Sequence, residues 1–274
     1  MSVKKERIDA LLVQRGIFDS REKAKRAVMA GLVFAEKERI EKPGMKVPVD
    51  LPITVKGRPL PYVSRGGLKL EKALRVFRLD VRDKIVLDIG ASTGGFTDCA
   101  LQNGARIVYA LDVGYGQLDW KLRSDERVVV MERTNFRYVH QDDFKRGLPH
   151  FATIDVSFIS LTLILPVLFP LLRPGGDVVA LVKPQFEAGR EQVGKKGIVK
   201  DAGIHEDVLQ RMVDSARKIG FSVHGCHYSP IKGGEGNIEF LLHLSKGENF
   251  SKEKDVDRQI KKIVSEAHQY LRTV

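Results

Sequence analysis

The 274-residue chain has little cysteine and a single tryptophan. Its two cysteines, Cys99 and Cys226, lie far apart, with no C-x-x-C and no neighbouring histidine cluster. That pattern excludes a disulfide framework and a zinc site and fits a reducing compartment, so a cytoplasmic location is expected. There is also no long apolar run. The most hydrophobic stretch, Leu161 to Leu172, is interrupted by Pro166 and Pro170 and is shorter than a bilayer requires. The N-terminal residues place Lys4, Lys5 and Arg7 before a short mixed segment ending at Arg15, which lacks the apolar core of a signal peptide. Internal repeats and low-complexity segments are absent. Together these absences predict a protein that does not enter a membrane and binds no metal.

Positive charge is what the chain has in excess. The formal net charge is +11, and residues 1–60 hold 14 Lys and Arg against 8 Asp and Glu, so more than half of the excess sits in under a quarter of the length. A polyanionic partner accounts for such a distribution, and a merely soluble basic surface is the alternative. The chain is long enough for a small domain followed by a medium one.

Arg7 to Gln14 has apolar positions 8, 11 and 12 at helical spacing, with Gly16 as a stop. Ser20 can cap a second helix to about Ala30, which carries Ala24, Ala27 and Val28 on one side and Arg21, Lys23, Lys25 and Arg26 on the other. Four cations within two turns suit phosphate contacts or a solvated face. Short strands are expected around Val33, Val47 and Ile53–Val55. The series Arg7, Asp9, Leu12, Gly16, Ser20-Arg21, Ala24, Gly31-Leu32-Val33, Lys42-Pro43-Gly44 and Ile53-x-Val55 resembles the RNA-binding domain named after ribosomal small-subunit protein four. The resemblance implies recognition of structured RNA by shape and backbone charge, through Arg7, Arg21, Lys23, Lys25 and Arg26. This domain is expected over 1–58, followed by a Pro-rich linker over 59–66.

From Lys84 to Thr97 the chain reads K-I-V-L-D-I-G-A-S-T-G-G-F-T, a buried strand delivered into a glycine-rich turn and then a helix. A dinucleotide fingerprint would place glycine where Ser92 stands, and a phosphate-binding P-loop would end in Gly-Lys-Ser/Thr rather than Gly95-Phe96-Thr97. The order acid, apolar, glycine, with a further glycine four residues on, resembles motif I of S-adenosylmethionine-dependent methyltransferases. A tight turn that binds nothing is the structural alternative. The expected cofactor contacts are Asp88, Gly90, Ala91, Ser92, Gly94 and Gly95, then Asp112 and Val113 at the end of a second strand, where an acid can accept from a ribose diol or merely cap a turn. Asn135 and Phe136 follow the third strand.

Further strand-like segments at Val128–Met131, Ala152–Phe158, Val178–Val182, Phe221–Tyr228 and Ile238–Leu244 alternate with candidate helices at His140–Lys145, Leu161–Leu172 and after Gly203. Such alternation predicts an α/β fold with a mostly parallel sheet over 67–246. Lys69 borders the apolar stripe of a helix beginning near Gly67, Asp155 and Lys183 stand where strands end, and Glu239 lies near the start of the last strand. In this order the four resemble the Lys-Asp-Lys-Glu tetrad of FtsJ-type ribose 2′-O-methyltransferases, although a buried structural ion-pair cluster has the same composition. The words Ser64-Arg65-Gly66-Gly67-x-Lys69-Leu70, Asp155-Val156-Ser157-Phe158-Ile159-Ser160 and Lys183-Pro184-Gln185-Phe186-Glu187 narrow the resemblance to the TlyA family of rRNA cytidine 2′-O-methyltransferases, which have also been labelled haemolysins.

The resemblance implies a Rossmann-like class I methyltransferase sheet behind a small α+β RNA-binding domain. It also implies S-adenosylmethionine as cofactor, ribosomal RNA or ribosomal subunits as partner, and no metal. Lys183 would stabilise the ribose oxygen, Asp155 and Glu239 would hold Lys183, and Lys69 would orient the ribose. Arg65 and a basic loop with Lys195 and Lys196 add candidate RNA contacts, the loop being expected to be mobile. The tail, 247–274, carries apolar positions at helical spacing and is expected to be an amphipathic helix, docked on its own domain or on a partner. Two further readings are a non-catalytic RNA-binding or assembly factor with a vestigial methyltransferase fold, and a haemolysin. Oligomeric state is not legible.

Overall fold

A computed structural model describes residues 4–29, 31–36, 38–57, 60–247 and 256–271. They divide into two compact units, 1–61 and 62–274.

In the smaller unit, helices α1 (Ile8–Gln14) and α2 (Arg21–Met29) cover two small antiparallel sheets. Strand β1 (Lys5–Arg7) pairs with β4 (Lys46–Pro48), while β2 (Val33–Ala35) lies between β3 (Glu38–Arg39) and β5 (Ile53–Val55). The periodicity marked both helices and three of these strands; β1 and β3 are too short to leave a pattern. Ile8, Leu11, Leu12, Ala24, Ala27 and Val28 form the core with Val33 and Val47.

The larger unit is built on a seven-stranded sheet. In chain order its strands are β6 (Ile85–Ile89), β7 (Ile107–Leu111), β8 (Val128–Met131), β9 (Phe151–Ile154), β10 (Asp177–Val182), β11 (Phe221–Tyr228) and β12 (Phe240–Lys246), and in space they run β11-β12-β10-β9-β6-β7-β8. All are parallel except β12, which is antiparallel to both neighbours. Its reversal sends the residues before β12 to the edge where the parallel strands end. The order changes direction at β6, with β7 on one side and β9 on the other, which opens a crevice at their carboxyl ends.

One face of the sheet packs against α3 (Gly67–Phe77), α4 (Gly95–Gln102) and the short α5 (Trp120–Arg123). The other packs against α6 (Leu165–Leu171), α8 (Ala202–Ile219) and α9 (Val256–Tyr270). A single turn, α7 (Pro184–Glu187), follows β10. Helix α9 buries Val256, Ile260, Ile263, Val264 and Ala267 in that core, so the amphipathic stripe of the tail lies against its own unit. The beginning of the tail, 248–255, falls outside the described residues.

Some expectations need correction. The helix expected over His140–Lys145 is instead a single 3₁₀ turn, Gln141–Asp143, preceded by another at Phe136–Tyr138; the Asp143 carboxylate takes the His140 N–H and closes the later turn on itself. The expected helix Leu161–Leu172 starts as a 3₁₀ turn and becomes α-helical from Leu165, with Pro166 in the first turn, where the missing N–H costs no hydrogen bond. Strand β9 stops at Ile154 rather than Phe158, because Phe158 has a left-handed φ of 63° that no strand accommodates. Tyr62, placed in the linker by its proline-rich surroundings, is buried in the larger unit, with its ring against Gly67 and its hydroxyl donating to Glu71 at 2.9 Å.

Candidate active site

The four charged residues expected to act together do converge in the larger unit. Lys69 projects from the first turn of α3, Asp155 follows β9, Lys183 follows β10, and Glu239 stands immediately before β12 rather than inside it. They form an alternating chain of charge. Glu239 Oε2 is 2.7 Å from Lys69 Nζ, Lys69 Nζ is 3.7 Å from Asp155 Oδ2, and Asp155 Oδ1 is 2.6 Å from Lys183 Nζ. Lys183 also donates to Ser157 Oγ at 3.1 Å. Glu239 therefore holds Lys69, not Lys183 as the sequence suggested, and Asp155 is the carboxylate shared by both lysines. Burial alone would lower the Lys69 pKa, but the Asp155 and Glu239 carboxylates outweigh it and the net shift is upward, keeping the ammonium charged.

Two glycines allow this packing. Gly90 has φ +87°, and a Cβ there would sit 2.5 Å from the Asp155 carbonyl oxygen. At Gly233, a Cβ would overlap the Glu239 carboxylate. The backbone approaches the charged chain at these points because no side chain intervenes.

Lys69, Asp155 and Lys183 border a cavity of about 380 Å³, which is also lined by Gly90, Ala91, Ser92, Thr93, Gly95 and Phe96 and by Ser64–Gly66 and Ile231–Gly234. A volume of that size suits a small cofactor. Four of the expected cofactor contacts, Gly90, Ala91, Ser92 and Gly95, thus line it. The remaining six sit differently. Gly94 faces Leu118 and Leu122 beneath the loop. The Asp112 carboxylate accepts the N–H groups of Ser92 and Gly114, at 2.8 and 2.7 Å, which places it at the rim and ties two loops together. Val113 beside it is exposed, Asn135 caps the following 3₁₀ turn by accepting the Arg137 N–H, and Phe136 is in the core.

Asp88 is fully buried below the loop and accepts hydrogen bonds from Thr97 Oγ1 at 2.6 Å and Thr153 Oγ1 at 2.9 Å. It fastens α4 and β9 under the cavity rather than lining it. Burial pushes its pKa up to about 6. The folded state therefore holds this proton more tightly than the unfolded chain, and the associated stability is full below the ordinary carboxylate pKa and lost as pH rises through 6. Asp88→Asn should remove that slope, so that the difference in unfolding free energy between variant and wild type moves in the variant's favour from pH 4 to pH 7, by roughly 3 kcal/mol. Parallel pH-dependent melts check this; a constant difference rules it out.

Among the expected RNA contacts of the smaller unit, Arg7 and Arg21 both bind the buried Asp9 carboxylate, at 3.0 and 2.9 Å. Hydrogen bonding from Arg7 first, then Arg21, holds Asp9 well below the usual carboxylate range; Arg21 thereby joins α2 to α1, while Arg7 fastens the end of β1 to the first turn of α1. Lys23 and Lys25 pair with Asp19 and Glu22, and Arg26 has no carboxylate partner among the described residues. In the larger unit Arg65 lines the cavity and donates to the Lys232 carbonyl at 3.5 Å. Lys195 and Lys196 are exposed on a loop whose far end is pinned, since Asn237 accepts from Val199 N and donates to the Gly197 carbonyl. The sequence reading missed Ser157, Thr93, Phe96 and the 231–234 segment as site elements. The run Gly233-Gly234-Glu235-Gly236-Asn237 was the available signal for the last of these.

With this geometry in hand, comparison with known proteins is decisive: the FtsJ-like methyltransferase model matches residues 62–246. The chain belongs to that family. An S4 domain model matches residues 6–53. The FtsJ-like chain is 63% identical over 273 residues to YqxC, a candidate rRNA methyltransferase of Bacillus subtilis, with 99% of this chain and 97% of the relative covered. It is 41% identical over 242 residues to the 16S/23S rRNA (cytidine-2′-O)-methyltransferase TlyA of Mycobacterium tuberculosis, covering 88% and 90% of the two. The solved structure of a candidate hemolysin from Streptococcus thermophilus is 57% identical, covers 99% of this chain and 98% of its own, and superposes with a TM-score of 0.78. The protein is a TlyA-type FtsJ-like methyltransferase whose cofactor is S-adenosylmethionine. Its cavity fits that group in volume, in its glycine-lined floor and in its position at the start of α4, where the helix dipole favours a carboxylate.

Proposed function

We propose that this protein methylates a ribose 2′-hydroxyl of ribosomal RNA, at a cytidine, using Lys69, Asp155, Lys183 and Glu239. The observation that carries the reading is the unbroken chain Glu239–Lys69–Asp155–Lys183, of which Lys69, Asp155 and Lys183 line the cofactor cavity and the buried Glu239 backs Lys69. The names of the relatives supply the substrate class.

Bound S-adenosylmethionine supplies an electrophilic methyl group on a sulfonium. A ribose hydroxyl is a poor nucleophile, and the protein's task is to orient it and remove its proton as the new O–C bond forms. The Lys183 ammonium, fixed between Asp155 and Ser157, stabilises the developing alkoxide. Asp155 is the most exposed of the four and receives the hydroxyl proton, which passes to solvent. Glu239 fixes Lys69, whose ammonium orients the ribose from the α3 side. Glu187 fastens the segment after Asp155 by accepting from Ser160 Oγ and Leu161 N at 2.6 and 2.8 Å. On that segment Phe158 is 90% exposed and packs on Phe186 at 5.0 Å, next to Lys183, where it can receive the target base. The S4-matched unit would supply affinity for structured RNA.

The product distinguishes this reading from others. Ribosomal RNA incubated with the protein and S-adenosylmethionine should acquire reverse-transcription stops that appear only at low dNTP and resist alkaline cleavage at the same position. Stops independent of dNTP concentration would indicate a base methyl and overturn the ribose assignment; no methyl uptake by free rRNA or by assembled subunits would overturn the reading.

A further inference from the structure

The loop after β7 and the short helix α5 stand at the cavity rim and are tied to its floor. Ser92 N donates to Asp112, Ser92 Oγ donates to Gln117 Oε1 at 3.3 Å, and Asp119 N donates to the Thr93 carbonyl at 3.1 Å. Leu118 and Leu122 pack beneath, against Gly94. From this anchored segment two large aromatic side chains face solvent: Tyr115 is 67% exposed and Trp120 77%. Burying either ring would be favourable, so their exposure on a well-tethered segment calls for a ligand.

Arg133 adds a second observation. Its guanidinium lies 4.0 Å from the Tyr115 ring centroid. Its backbone has φ +52°, a left-handed conformation that is costly for a residue with a Cβ, and its N–H is held on the Gly114 carbonyl at 2.9 Å. The strained turn after β8 is thus fastened to the loop after β7 with the cation over the aromatic ring.

We propose that Tyr115, capped by Arg133, and Trp120 form a stacking rim for unpaired RNA bases flanking the nucleotide whose ribose enters the cavity. The proposal rests on the RNA methylation reading above and extends it to substrate form: a segment with its bases splayed out. Exposed aromatics with a flanking guanidinium match single-stranded nucleic acid, since every base offers a π-face and the backbone is anionic. The net charge of +11 agrees with that partner.

Trp120 is the chain's single tryptophan, so its emission reports on the rim alone. Titration of the full-length protein with a mixed-sequence single-stranded RNA of about 12 nucleotides should quench it saturably. The same RNA annealed to its complement should leave it unchanged. Trp120→Ala and Tyr115→Ala should each weaken single-strand binding about 10-fold, with Trp120→Phe restoring most of it and S-adenosylmethionine affinity and thermal midpoint unaltered. Absence of quenching, equal quenching by the duplex, or saturable quenching by S-adenosylmethionine alone overturns the rim; the last would give the ring to the cofactor's adenine. Methyl transfer measured in parallel separates the two proposals. Transfer without quenching removes the rim only, and quenching without transfer to any rRNA removes the methylation reading while leaving a single-strand binding surface.

Discussion

Lys183→Ala is expected to reduce methyl transfer to ribosomal RNA by about a thousandfold or more while changing S-adenosylmethionine affinity by no more than about twofold. The ammonium is nearly buried, 2.6 Å from Asp155 and 3.1 Å from Ser157, and Lys183 lines the cofactor cavity. Its loss removes the charge that stabilises the ribose oxygen and leaves the floor of the cavity untouched. Lys183→Arg should recover little, because a planar fork cannot occupy a position built for a compact ammonium. Single-turnover transfer together with calorimetric titration of S-adenosylmethionine checks both halves. Turnover close to wild type in the alanine variant would remove Lys183 from the mechanism.

Gly90→Ala should act on both halves at once. The new methyl would meet the Asp155 carbonyl at 2.5 Å, and φ +87° is itself unfavourable for alanine. Relief requires β6 and the segment after β9 to separate, which displaces the Asp155 carboxylate from its two lysines and tilts the floor at Ala91 and Ser92. A loss of about 2–4 kcal/mol in stability is expected from the strain and the overpacking together. S-adenosylmethionine binding should fall with it, unlike in the lysine variant. A variant that melts and binds cofactor as wild type does would show that the crevice is softer than this packing implies.

The contrast between these two positions also explains what was legible in the amino-acid sequence. Gly90 sits in a local pattern, a strand, a glycine turn and a helix within 14 residues, and local patterns survive in one dimension. The four charged residues were legible as a set because short words surround them. Their pairing was not: Glu239 meets Lys69 because β12 runs against its neighbours, a fact of sheet topology to which no local pattern corresponds. Asp88 was expected among the cofactor contacts because acid before glycine is common to both roles, and only its burial against Thr97 and Thr153 separates them. Ser64 to Gly66 read as linker for the same reason, since a composition rich in polar residues and Gly beside Pro59 and Pro61 describes an active-site edge as well as a connection. The 3₁₀ turns near 140 lie in a short polar segment where side chain to backbone hydrogen bonds, not periodicity, decide the conformation.

The reversed strand has a consequence in time as well as in space. The hydrogen bonds that set the cofactor floor join residues 20 and 25 positions apart, whereas the Lys69–Glu239 pair closes a span of 170. Closing the longer span carries the larger entropic cost and waits on β12 inserting between β10 and β11. On a ribosome, most of the sheet and the whole of α3 emerge before residue 239 does. A nascent or refolding chain therefore owns a cradle for the methyl donor before it owns the means to use it, and reactivity is among the last properties the chain acquires.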